Sequence, residues 1–229
     1  LVKAIDLAKK IRTAHRDTHA GKMATSIIVQ IESKSLNSEG ENVYVLNMSM
    51  LFKVNYKNIT QVSYRIFKVD EEQFDLYQNT KNDQRWPLVH TFDKVNQGSQ
   101  TLPDFKDYKL HSAEIGIDGL PLGRYFMLLS NDAQFDKAAN SGAGVLEFQV
   151  TNLGMWNLNT TEGKTSIVVV DRSSGKPLEG VEAIFSSRKR RNEGWKEAAR
   201  AISDAEGFIL PELNERESYR VVLKNGEDT

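Results

Sequence analysis

The stretch Leu120-Pro121-Leu122-Gly123-Arg124-Tyr125-Phe126-Met127-Leu128-Leu129-Ser130 decides how the rest of this chain is read. A proline and a glycine make a corner, and the apolar run that leaves it is too short to cross a membrane as a helix. Its length and aromatic content predict a strand buried on both faces. The same grammar returns as Leu210-Pro211-Glu212-Leu213, a polar spacer, and then Tyr219-Arg220-Val221-Val222-Leu223. A Leu-Pro-x-Leu corner used twice, each time feeding a Tyr-led strand, predicts a mainly β chain with two antiparallel β-sandwich modules in tandem. Neither copy carries a reaction centre.

Length and composition agree with a modular globular chain. At 229 residues there is room for one large or two modest domains, and 39% hydrophobic with 27% charged residues is ordinary for such a protein. The net charge of −1 gives no field that would draw nucleic acid or an anionic membrane. No apolar run reaches the length of a transmembrane helix, so no direct membrane insertion by this stretch is expected. The absence of cysteine excludes disulfides, thiolate zinc sites and a Cys nucleophile. The opening Leu1-Val2-Lys3-Ala4 has no initiator Met and no basic-then-apolar leader, and reads as the start of a fragment.

Outward from the central strand, the period changes twice. Leu1, Ala4, Ile5, Ala8 and Ile11, then Met23, Ile27, Ile28 and Ile31, recur at three- and four-residue spacing. With Thr18 as a capping residue between them, residues 1–35 predict a helical hairpin. One hairpin cannot bury its own apolar face, so it is expected to dock on something that precedes Leu1. After the polar break at 37–40, strands are expected around 43–45, 51–56, 62–69, 110–118, 124–130 and 145–150. Glu71 to Gln78 reads as a short helical excursion, Asn79 to Arg85 as a polar loop, and Leu88 to Val95 as an irregular strand. The first sandwich is placed at 36–152. Thr151 to Gly163 reads as the connection, with Trp156 packed in the joint, and a smaller sandwich, truncated in this chain, follows at 163–229.

In this order of landmarks a family becomes visible. Asn55-Tyr56-Lys57-Asn58-Ile59 leads to Tyr64-Arg65-Ile66-Phe67-Lys68-Val69-Asp70, then to the central stretch and Phe148-Gln149-Val150-Thr151-Asn152-Leu153. Asp171-Arg172-Ser173-Ser174-Gly175-Lys176-Pro177-Leu178 closes the series. Together these resemble the early macroglobulin-type domains of bacterial alpha-2-macroglobulin-like proteins, in particular the long forms of Bacteroides-type bacteria. In those the segment follows a tetratricopeptide-like helical region, which the hairpin is similar to. The resemblance implies a large periplasmic or cell-envelope protein, lipid-anchored, that traps proteases after they cut a bait segment. The family's thioester motif Cys-x-Glu-Gln cannot lie here, because there is no Cys. By resemblance this chain is a non-catalytic structural segment, whose partners are proteases, met through the full-length parent, and other domains of the same chain.

No catalytic, cofactor-binding or metal residue is assigned. His15 and His19 have the four-residue spacing of zinc ligands on a helix, but no His-Glu-x-x-His pattern accompanies them and they fall at a helix end. His90 and His111 stand alone in sequence. The turns beginning at Asp171 and Asp204 offer too few oxygens for calcium and read as Asp/Gly turns. Glu71, Glu72 and Asp75 crowd together, but no second acid can be paired with them for glycoside hydrolysis. The basic run Arg188-Lys189-Arg190-Arg191 reads as a solvated hairpin tip, and Trp86, Trp156 and Trp195 are too scattered to form a stacking platform. Two other readings stay open: an adhesion or glycan-binding module, which requires an exposed aromatic platform, and a scaffold that recruits a protein through its helices.

Overall fold

The central strand β7 (Gly123–Ser130) is buried from Tyr125 to Ser130 without interruption, because its sheet is covered on both sides. A computed structural model describes residues 1–136, 143–159, 165–188, 194–211, 213 and 218–229. The chain divides into two units. The first comprises Leu1–Asn42, Ser49–Asp118 and Arg124–Phe148; the second comprises Val43–Met48, Gly119–Gly123 and Gln149–Thr229.

In the first unit β7 pairs antiparallel with β4 (Gln61–Val69), so that Phe67 faces Phe126 and Ile66 faces Met127. β5 (Asp93–Thr101) continues the sheet beyond β4, and β8 (Ala143–Val150) flanks β7 on the other side. Period-two alternation then splits β7. Tyr125, Met127 and Leu129 share one face, and Phe126, Leu128 and Ser130 share the other. The first face meets a three-stranded sheet, β1 (Ser35–Glu39), β3 (Met50–Lys57) and β6 (His111–Ile117), in the order β1-β3-β6. β3 turns Met50, Phe52, Val54 and Tyr56 inward, and Phe52 meets Phe148 edge-on at 5.4 Å, while Phe148 stacks on Tyr125 at 5.4 Å. The second face is covered by α3 (Glu71–Asn79) and α4 (Asn82–Val89). There Phe67, Val69, Phe126 and Leu128 share a core with Tyr77, Trp86, Val89, Phe92 and Phe135. Each fully buried ring of this kind contributes about 1.5–3 kcal/mol.

Two stretches depart from expectation and a third meets it. Residues 37–39 of the expected polar break belong to β1, an edge strand. Its exposed side chains pair across to β3, with Asn55 Nδ2 donating to Glu39 Oε1 at 2.8 Å. The expected loop and irregular strand at 79–95 are instead α4 and the start of β5. Pro87 and the polar first turn hide a helix whose formation rests on Trp86 and Val89 packing into the core rather than on propensity. The helical reading of 71–78 is met by α3, and Asp70 caps it by accepting from the Gln73 backbone at 2.8 Å, with Gln73 reciprocating.

The hairpin α1 (Val2–Ala14) and α2 (His19–Glu32) closes around Ile5, Ala8, Ala24, Ile28 and Ile31. Thr18 caps α2 by accepting from Gly21 N at 3.2 Å. Tyr108 of this same chain packs against the seam, and Asn58 Nδ2 donates to the carbonyls of Ile31 and Ser33 at the end of α2. Docking on this chain's own loops therefore supplies part of what was expected only from upstream. Leu7, Met23 and Val29 remain exposed.

The second unit is a smaller sandwich. One sheet has the order β13-β10-β9, from β9 (Leu153–Asn159), β10 (Thr165–Asp171) and β13 (Phe208–Ile209). The other is β12-β11-β14, from β11 (Glu182–Arg188), β12 (Lys196–Ile202) and β14 (Ser218–Lys224). Leu153, Ile167, Val169 and Ile209 of the first meet Ala183 and Phe185 of the second and Val181 just before β11. Residues 153–159, within the polar stretch read as a connection, are a strand: β9 runs antiparallel to β10 in register, with Trp156 opposite Val168. Trp156 is 58% exposed rather than packed in a joint.

Candidate functional site

In the second unit, the corner at 119–123 and the residues Thr151 and Asn152, between β8 and β9, draw together stretches that are distant in sequence. β2 (Val43–Tyr44) pairs in parallel with the last two residues of β8, Gln149 and Val150. Immediately beyond that pairing, Thr151 N–H donates to the Tyr44 carbonyl at 3.0 Å and Leu46 N–H donates to Asn152 Oδ1 at 3.3 Å. The Asn152 carbonyl accepts from Arg172 N–H at 2.7 Å. The buried carboxylate of Asp228 accepts from the Thr151 hydroxyl at 2.5 Å and from Asn152 N–H at 2.8 Å. Thr151 Oγ1 in turn accepts from Leu153 N–H at 3.0 Å.

Asp228 arrives on a tight turn in which Asn225 and Asp228 exchange backbone hydrogen bonds and Gly226 adopts a φ of 63°. Gly119 presses on the same region: a Cβ there would lie 2.3 Å from the carbonyl carbon of Asn47, itself at a φ of 58°. A buried carboxylate whose oxygens are held by a hydroxyl and a backbone N–H stabilises structure. Chemically, this arrangement holds four distant stretches of chain together.

The residues weighed in the sequence serve turns, caps and cores. His15 ends α1 and His19 begins α2; both are exposed. His111 Nε2 pairs with Asp107 at 2.8 Å and its ring stacks on Phe105 at 4.2 Å. The His111 contact, helped by Lys109 N–H, holds the Asp107 carboxyl below the usual carboxylate range. Asp171 Oδ1 accepts from the hydroxyls of Ser173 at 2.6 Å and Ser174 at 2.7 Å, and from Ser174 N–H. The Ser173 hydroxyl first, then Ser174, bring its pKa down to about 2. Asp204 Oδ1 accepts from Glu206 and Phe208 N–H, closing the turn that carries Gly207 at a φ of 78°. Glu71 and Glu72 lie on the exposed first turn of α3.

Trp86 is buried, and its Nε1–H donates to the Phe135 carbonyl at 3.1 Å. Trp195 carries the Arg188 guanidinium 4.2 Å above its ring, while the basic residues 189–191 lie outside the described residues. Among the described residues no group of three or more His, Asp or Glu side chains gathers as a metal site would require. Trp156 and Phe208 flank Val168 on one face of the β13-β10-β9 sheet, as the register requires.

Sequence reasoning missed the Asp228 bond set. The Asn225-Gly226 dipeptide was the available signal for the turn that delivers Asp228.

No family model and no curated protein matches the chain. Solved structures do. The crystal structure of native alpha-2-macroglobulin from Escherichia coli spanning domains MG0-NIE-MG1 superposes with a TM-score of 0.54 at 15% identity, covering 85% of this chain and 64% of that one. The cryo-EM native conformation of the whole E. coli protein is matched over 83% of this chain at 17% identity and a TM-score of 0.45. This chain spans 12% of that protein's length. At such identity the likeness is one of fold: the chain has the macroglobulin-like β-sandwich architecture of bacterial alpha-2-macroglobulin N-terminal domains.

Proposed function

We propose that the chain is a non-catalytic structural segment of a large alpha-2-macroglobulin-like protease inhibitor of the bacterial envelope. The observation that carries the reading is a likeness of fold over 85% of the chain, in step with the landmark order seen in the sequence. The bonding around Thr151 and Asn152 suits this role, because it ties distant stretches of backbone together. In this reading the partners are proteases, met through the full-length parent, and the other domains of the same chain. The parent is of the Bacteroides type, lipid-anchored in the periplasm, with the hairpin at its tetratricopeptide-like end.

The test uses the full-length parent, mixed with trypsin-like and elastase-like proteases. Cleavage of a large protein substrate should fall while cleavage of a small peptide persists, since a caged protease stays active. Equal retention of both activities across several proteases would overturn the reading. A second reading, a glycan-binding module, is favoured by one observation: Trp156 at 58% and Phe208 at 40% exposure flank Val168 on one sheet face. It requires that this chain bind on a sugar array and that Trp156→Ala abolish the binding.

A further inference from the structure

The segment 131–136 is folded back on itself. Asp132 accepts from the N–H groups of Gln134 and Asp136, and Phe135 sits at a φ of 63°, a conformation that bulky residues rarely adopt. The strain aims the Phe135 ring into the helical layer. There it stacks on Trp86 at 6.4 Å and meets His90 edge-on at 6.1 Å, while its carbonyl accepts the Trp86 indole N–H. Arg65 of β4 lies over the same ring at 4.2 Å and donates to the Ala133 carbonyl at 3.3 Å. His90, which caps α4, is thus walled by Phe67 at 5.7 Å, Trp86 at 5.9 Å and Phe135.

We propose that segment 131–136 is an acid-released clamp on the helical layer of the first unit, with His90 as the group that opens it. A neutral imidazole suits this half-buried site beside Arg65. An imidazolium would lose hydration there and face the Arg65 guanidinium. The charges on the surrounding elements are Arg65 on β4, Asp83 and Arg85 on α4, Asp93 and Lys94 at the start of β5, and Asp132 and Asp136 in the clamp. Of these, Arg65 is the one whose field acts on the ring, after burial, and both lower its pKa. The C-terminal end of α4 favours positive charge, but α4 is only eight residues long.

The sign follows from linkage. The clamped form holds His90 below its ordinary value of 6.5, and the released form restores that value. Closure is therefore fully favoured above the ordinary value and loses ground as pH falls below it. The opening equilibrium shifts roughly tenfold for each unit by which the two values differ. Opening uncovers Phe135, Trp86 and Phe67, so the expected result is a local loosening of the helical layer while the sandwich behind it stays folded.

The experiment takes the whole 229-residue chain. Hydrogen exchange of peptides covering 82–92 and 131–136 is compared at about pH 7.5 and about pH 5.5, corrected for intrinsic exchange. Exchange at these peptides should accelerate on acidification in the native chain and not in His90→Gln. The same acceleration in both, or none in either, overturns the proposal. An NMR titration of the native chain decides the matter even where the variant fails to fold: His90 titrating at or above the free-imidazole value overturns it, and titration below that value supports it.

Discussion

Replacing Asp228 with alanine removes the acceptor that joins the 225–228 turn to Thr151 and Asn152. Two hydrogen bonds to a charged group disappear, one from the Thr151 hydroxyl at 2.5 Å and one from Asn152 N–H at 2.8 Å. Bonds to charged groups contribute about 1.5–3 kcal/mol each, and the part-buried Asn152 N–H loses its acceptor. The Thr151 hydroxyl rotates to other acceptors, so the expected loss is about 3 kcal/mol rather than the full sum. Asp228→Asn should cost less, about 1 kcal/mol, because the amide oxygen still accepts from Asn152 while the amide nitrogen donates to Thr151 Oγ1.

Urea unfolding read by pulsed hydrogen exchange of second-unit peptides, such as 165–171 and 182–188, isolates the effect. With a urea dependence of about 1–3 kcal/mol per molar, Asp228→Ala should lower the midpoint by roughly 1–3 M. The neighbouring Glu227 is exposed, and Glu227→Ala should shift it by no more than about 0.5 kcal/mol equivalent. Equal midpoints for the two alanine variants would refute the reasoning.

Other positions give sharp expectations. Phe126→Ala, at a ring with no exposed surface in the helical core, should cost about 3–5 kcal/mol by calorimetry. Gly119→Ala forces a Cβ against the Asn47 backbone and should destabilise the second unit by at least about 2 kcal/mol, while Gly175→Ala, where a Cβ meets open space and only the φ of 70° is strained, should cost about 1–2 kcal/mol. Asp70→Ala removes the α3 cap, about 1 kcal/mol, visible as faster amide exchange at Gln73 and Phe74. The Asp171 carboxyl should titrate near 2 by NMR: its turn is fully supported above the ordinary 3.8 and loses that support as pH falls toward 2. Titration at the ordinary value would show that the two serines do not hold it.

The sequence was most informative where one kind of residue fills a whole element. Tyr125 to Leu129 can only be buried on both faces, and the structure covers both. The Thr18 cap and the strand expected at 51–56 were equally readable, because each depends on neighbours within a few residues. The helix α4 was hidden by Pro87 and its polar first turn, since its stability comes from Trp86 and Val89 meeting Phe67 and Phe126, remote in sequence. β9 was hidden for a similar reason: Gly154, Asn157 and Asn159 look like loop residues, yet the strand is fixed by its register with β10. Around Thr151 and Asn152 the side-chain bonds to Leu46 and Asp228 span 76 to 106 residues, and nothing local to either residue announces them.

That same separation sets an order of events on the ribosome. The second unit takes Val43–Met48, then Gly119–Gly123, and only later the segment that begins at Gln149. Translation adds about 5–20 residues per second, so Tyr44 and Leu46 wait on the order of ten seconds before Thr151 and Asn152 emerge, and longer for Asp228. During that interval the strands between them can collapse first, leaving the early segment as a waiting edge. A gene fragment cut anywhere between 48 and 149 therefore separates the second unit from its own first strand, and recombinant pieces should be drawn around the three segments together.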